Sequence, residues 1–142
     1  VSAPLYLIGK KVSCSRCNSR LPVVALLAPH VADSDGQVCL LSSIEEMPRE
    51  ILQFIQKRVP TFQWRSSLMA GSSYFANTCP KCHVIYGDFF LHSEPGAPFF
   101  PTSNEEAKSL YLTEIQLPNA IEIQASRGVG VGDLVLSKGK RT

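Results

Sequence analysis

Two Cys-x-x-Cys pairs, Cys14/Cys17 and Cys79/Cys82, constrain this chain more than any other feature. A Cys-x-x-Cys turn sets two sulfurs on one ion with little chain strain, and zinc prefers a tetrahedral shell of sulfur and nitrogen. Two such turns fill that shell and leave no open position. Cys14, Cys17, Cys79 and Cys82 are therefore the expected ligands of one structural Zn2+. Iron in a rubredoxin-like site would use the same four thiolates. The fifth cysteine, Cys39, stands alone in the apolar run Val38-Cys39-Leu40-Leu41. An odd count and paired spacing argue against a secreted disulfide scaffold and for metal chemistry in a reducing compartment.

Each pair lies between strand-like segments. Leu5 to Val12 leads into the first pair, and Arg20 to Ala28 returns from it. Tyr74 to Thr78 leads into the second, and His83 to His92 reads as the strand leaving it. A thioredoxin-like redox motif would instead open a helix, which the β-branched and aromatic residues after each pair disfavour. The pattern predicts a mainly β (α+β) domain. Its base is a zinc-ribbon-like pair of metal-binding hairpins, with a helical insertion and extra C-terminal strands.

The 61 residues between Cys17 and Cys79 must hold that insertion. Ser43 and Glu46 have capping-box spacing, Pro48 suits a first helical turn, and Ile51, Leu52, Ile55 and Val59 recur at helical spacing. The helix is expected near residues 48–58, with Pro60 closing it. Residues 61–72 look irregular. Asn104 to Ser109 suits one helical turn, and Leu110 to Leu117 and Ala120 to Ala125 suit late strands. Gly128 to Gly132 reads as a flexible connection: the spacing in Arg127 to Asp133 matches no nucleotide-binding fingerprint, and no helix pattern follows. Residues 1–136 are expected to form one zinc-binding domain, and 137–142 a basic flexible tail.

Val1 to Ile8 is apolar but interrupted by Pro4 and preceded by no basic segment, so no signal peptide is expected. No apolar run approaches the roughly 18 residues of a membrane span. The formal net charge is +2. Four thiolates and one divalent ion bring the holo-protein close to neutral, which lends little support to general nucleic-acid binding. Lys10, Lys11, Arg16, Arg20 and Lys81 flank the pairs. They form either a phosphate-contacting rim or an offset to the negative thiolates, and their thin spread favours the offset.

The most distinctive stretch without cysteine is Gly87 to Gly96. On a strand, Asp88, Phe90, His92 and Glu94 share one face and could bind a second metal or move a proton. Hydrogen bonding at a strand end is the plainer reading. Phe89-Phe90 and Phe99-Phe100 bracket a Pro/Gly turn. If exposed, such rings would form an apolar docking patch, with Phe99, Phe100, His92 and Glu94 as candidate partner-binding residues.

The segment Ser73 to Cys82, continuing through Gly87-Asp88-Phe89-Phe90-Leu91-His92-Ser93-Glu94-Pro95-Gly96, resembles a group of uncharacterised bacterial zinc-ribbon-type proteins. Pro22 to Leu26, after the first pair, is similar to a strand in their first half. The resemblance spans roughly the first 100 residues. It implies the paired-cysteine site and a bacterial, cytoplasmic setting, and it brings no activity. Knuckles of this kind usually place glycine after the second cysteine; this chain has Asn18 and His83 there.

The expected function is that of a non-enzymatic, zinc-stabilised interaction module whose partner is another protein. The alternatives are a nucleic-acid-binding zinc ribbon and a small hydrolase-like enzyme using Asp88, His92 and Glu94. No catalytic residue is assigned.

Overall fold

The computed structural model describes residues 1–67 and 71–142. The chain forms β1 (Leu5–Ser13), β2 (Arg20–Ala28), β3 (Cys39–Glu46), α1 (Arg49–Arg58), β4 (Phe62–Ser67), β5 (Ser72–Thr78) and β6 (Ile85–Tyr86). There follow α2 (Asp88–His92), α3 (Asn104–Lys108), β7 (Tyr111–Ile115), β8 (Gln124–Gly128), α4 (Gly132–Lys138) and β9 (Lys140–Arg141). The molecule is mainly β. Its path of neighbouring strands runs β4-β5-β3-β2-β1-β7-β9, with β6 against β5 and β8 against β3. Every pairing is antiparallel except β7 with β9.

The central strands are apolar on both faces because the sheet is covered on both faces. Tyr6 and Ile8 of β1, with Leu21, Val23, Ala25 and Leu27 of β2, face one core. Leu91, Phe99, Leu110 and Val135, from the segments after the second knuckle, complete it. Leu5, Leu7, Val24, Leu26 and Ala28 face the other core, closed by Ile51, Ile55 and Val59 from α1 and its C-terminal end. Strand alternation thus divides one continuous apolar run between two layers.

Strands β2 and β5 both lie along β3, β2 against Cys39–Leu41 and β5 at Ile44. Where β3 leaves β2, the Asn77 side chain of β5 takes its place. Its Oδ1 accepts the Val24 N–H at 2.9 Å, and its Nδ2 donates to the Val24 carbonyl at 3.1 Å. Asn77 is 1% exposed, so this amide completes the hydrogen bonding of a buried strand.

Several local expectations yield to long-range pairing. Ser43 and Glu46 do not cap α1; both lie in β3, which pairs with β8 through a register shift between Ser42 and Glu46. Ser43 has φ 49° there, and its N–H donates to Asp88 Oδ2 at 2.6 Å. Helix α1 instead begins after Pro48, with no side-chain cap. The segment leaving the second knuckle is not one strand to His92. It is the two-residue β6, then α2. Residues 62–67, expected to be irregular, form β4, which pairs with β5 from Phe62↔Asn77 to Ser67↔Ser72.

The C-terminus is not a loose tail. Helix α4 follows the glycine segment, and β9 pairs with β7. Arg141 donates to the Tyr6 hydroxyl at 2.7 Å and its guanidinium lies over the Tyr6 ring. A Cβ on Gly132 would lie 2.6 Å from the Val38 carbonyl oxygen, so glycine is what lets α4 pack against β3's entry.

Candidate metal centre

The two knuckles are built alike. In the first, the Cys14 N–H donates to the Ser19 carbonyl at 2.7 Å and the Asn18 N–H to the Cys14 carbonyl at 2.8 Å. In the second, the Cys79 N–H donates to the Val84 carbonyl at 2.9 Å and the His83 N–H to the Cys79 carbonyl at 3.0 Å. Such a turn needs a left-handed residue after the second cysteine. Asn18 has φ 62° and His83 φ 63°. Asn tolerates this region; His carries more strain there.

The strands bring the two turns face to face. The Sγ atoms of Cys14, Cys17, Cys79 and Cys82 all lie within 4.8 Å of one another. Two of these approaches cross between the hairpins: Cys14 to Cys82 at 3.6 Å and Cys17 to Cys79 at 3.5 Å. A disulfide would require about 2.05 Å. Four sulfurs on a tetrahedral zinc at 2.3 Å sit about 3.8 Å apart. The donor set and its spacing therefore fit one four-coordinate metal ion, which can be held at this point.

The surroundings favour thiolates on one side of the cluster. The backbone amides of Cys17 and Arg16 point at the Cys14 sulfur and lower its thiol below the usual value near 9. The Ser19 hydroxyl, then its amide, lower Cys17 to about 6. The Val84 amide aids Cys82 in the same way, but desolvation and the three neighbouring sulfurs outweigh it and raise Cys82 to about 11. Four thiolates this close repel one another, and a bound cation is what lets all four ionise together. Cys14 and Cys79 are buried, Cys82 is half-buried and Cys17 is exposed, so the cluster sits at the rim of the first core.

Comparison with protein-family models, with curated proteins and with solved structures finds no match for this chain.

The remaining candidate residues do not assemble into a second site. Among the described residues, the four cysteines are the one group of three or more metal-ligating side chains close enough to share an ion. Asp88 is 8% exposed and is engaged by the Ser43 N–H. Desolvation raises its carboxyl to about 6, against the pull of that hydrogen bond. His92 packs on the Phe99 ring at 5.1 Å between centroids, and burial lowers its imidazole to about 4. Glu94 is exposed on the loop beyond α2. The shared strand face expected for Asp88, Phe90, His92 and Glu94 is replaced by a helix followed by a turn.

The apolar docking patch is also corrected. Phe99 is fully buried, with its N–H donating to the Leu91 carbonyl, and cannot act as a surface anchor; Phe100 is half-buried. The side chains of Phe89 and Phe90 lie outside the described residues. Among the described side chains, the large exposed rings are instead Trp64 and Tyr111, each about half exposed at 50% and 49%. Trp64 was missed because β4 carries too few apolar residues to read as a strand. No helix among the described residues is long and apolar enough to cross a membrane.

Proposed function

We propose that this protein is a zinc-stabilised interaction module that acts by binding a macromolecule. One zinc, held by Cys14, Cys17, Cys79 and Cys82, locks the β1–β2 hairpin to the β5–β6 hairpin. The observation that carries this reading is the convergence of four thiols from two hydrogen-bonded knuckles into a tetrahedron-sized cluster. Four protein ligands leave no position for water or substrate, so the ion supplies folding energy rather than a reactive centre. Structural zinc of this kind contributes an apparent binding free energy of about 10–16 kcal/mol in small domains.

Elemental analysis of the purified protein tests the reading directly, with one zinc per chain expected. Cys79→Ser should lose most of the zinc and lower the melting temperature, and chelator should reproduce that loss in the wild type. A stably folded protein without metal, or a melt unchanged by Cys79→Ser, refutes it. Iron at the same position would show in the same analysis as a different element and a visible absorption band.

A further inference from the structure

The near-neutral charge of the whole chain conceals a sharp segregation. All 12 acidic residues lie in 33–50 and 88–142. Residues 1–32 and 51–87, which build both cysteine hairpins, β4 and α1 beyond its first-turn Glu50, contain no carboxylate side chain. They carry Lys10, Lys11, Arg16, Arg20, Lys57, Arg58, Arg65 and Lys81. A four-thiolate zinc centre removes only two of these charges.

The fold gathers five of these cations. Arg16 and Lys81 sit inside the two Cys-x-x-Cys turns, and those turns meet at the sulfur cluster. Arg20 pairs with Ser13 at the base of the first knuckle, and Lys11 pairs with Pro22 two steps further along. The Arg65 guanidinium donates to the His83 carbonyl at 3.3 Å, which brings it to the second knuckle. Lys11, Arg16, Arg20 and Lys81 are exposed. Among the described residues the one ion pair is Lys108 with Glu105, so none of these cations is neutralised by a carboxylate at contact distance. Glu106 feels Lys10 at longer range, while its own oxygen is taken by Thr102.

Beside this cationic end lies β4, the last strand on that side of the sheet. The Phe62 N–H donates to the Val59 carbonyl and the Phe62 carbonyl accepts from Gln56, so β4's edge groups at Phe62 point away from β5. Trp64, two residues on, is half exposed and stands edge-on to Phe75 at 5.1 Å. Phe75 is four residues from Cys79 along β5, about 13 Å of strand.

We propose that the knuckle end binds a single-stranded nucleic acid. Its phosphates would lie on Lys11, Arg16, Arg20 and Lys81, and one base would stack on Trp64. This rests on the reading of the protein as a metal-clamped binding module and names the partner of that module. Phosphates match a group of exposed cations that no carboxylate neutralises at contact distance. A half-exposed indole beside it offers a stacking platform that an unpaired base can use and a duplex cannot.

The test is fluorescence anisotropy of the zinc-loaded full chain with labelled single-stranded RNA and DNA of about 12 nucleotides, within the usual footprint of such surfaces. Poly-glutamate of similar length and duplex DNA serve as competitors. Trp64 is the only tryptophan, so its own fluorescence reports on the proposed stack. Engagement of four cations predicts a slope of about −3 for the logarithm of the association constant against the logarithm of salt. Lys11→Glu with Arg20→Glu should reduce that slope by about 1.4 or more and weaken binding at least about tenfold. Trp64→Leu should weaken binding about fivefold or more and leave the slope unchanged. Absence of binding at low salt, binding without quenching of Trp64, or poly-glutamate competing as well as the oligonucleotide overturns the proposal; the last result would assign the surface to an acidic protein. Zinc content is measured on every sample. Holo-protein that fails to bind sinks this inference alone, whereas folded protein without metal sinks the module reading itself.

Discussion

Asn77→Ala should be among the most damaging single substitutions outside the cysteines. The side chain makes two buried hydrogen bonds to one residue, accepting from the Val24 N–H at 2.9 Å and donating to the Val24 carbonyl at 3.1 Å. Val24 is 6% exposed, so water cannot replace the amide without opening the sheet. Each orphaned backbone group costs about 1–3 kcal/mol, which gives roughly 2–6 kcal/mol for the pair. For a chain of this size that is a fall in melting temperature on the order of 10 °C. Urea denaturation of zinc-loaded protein, followed by far-UV circular dichroism, measures it. Asn77→Asp keeps an acceptor for the N–H but sets a buried carboxylate against the Val24 carbonyl, so it should be no better tolerated. A loss below about 1 kcal/mol in the alanine variant would show that Asn77 does not stand in for a missing strand. The effect should also shrink in a Cys79→Ser background. The proposed metal link and Asn77 would both join the first hairpin to β5, and once one link is gone the other has less to hold.

Three further outcomes follow from single side chains. His83→Gly relieves a left-handed residue at φ 63° in the second knuckle and should leave zinc content intact while raising stability by up to about 1 kcal/mol in a urea titration. Cys39→Ala, at a fully buried thiol far from the cluster in sequence, should cost on the order of 1 kcal/mol and release no zinc by elemental analysis. The pH dependence of stability should change shape in Asp88→Asn. Asp88 is raised from 3.8 to about 6, so its contribution is present below pH 3.8 and is lost as pH rises through 6. His92 is lowered from 6.5 to about 4, so its contribution is present above pH 6.5 and is lost as pH falls through 4. The two slopes oppose each other between pH 4 and 6. Removing the Asp88 titration should make the variant gain about 3 kcal/mol on the wild type across that window, read from denaturation curves at each pH.

The cysteine cluster was legible because a Cys-x-x-Cys turn is a local device whose geometry hardly depends on its surroundings. Strands β1 and β2 and helix α1 were legible for a similar reason. Burial on both faces writes an unbroken apolar run, and an amphipathic helix writes its period. What the sequence concealed was long-range. The Ser43 and Glu46 capping signal is real as a local preference, but pairing with β8 and the Asp88 carboxylate draws those residues into β3. Asp88 to His92 reads as strand by alternation and forms a helical turn, with Asp88 fixed to Ser43 of β3 and His92 packed on Phe99. Its place at the end of the sheet lets β4 remain polar, so Phe62–Ser67 lacks an apolar pattern. The basic C-terminus resembles a tail because its one anchoring arginine bonds a tyrosine more than 130 residues away. The charge segregation was present in the sequence throughout, but it gains meaning only once the knuckles bring Arg16 and Lys81 to one end.

The crossed pairing of Cys17 with Cys79, 62 residues apart, sets an order of events on the ribosome. At about 5–20 residues per second, the first knuckle leaves the exit tunnel roughly 3–12 seconds before the second. During that interval a nascent hairpin carries only two of the four cluster thiols. Until Cys79 and Cys82 arrive, those thiols are open to stray copper, to oxidants and to one another. The covering element of the first core arrives later still, since Phe99, Leu110 and Val135 all follow the second knuckle. Chelation during synthesis should therefore harm this protein more than chelation afterwards.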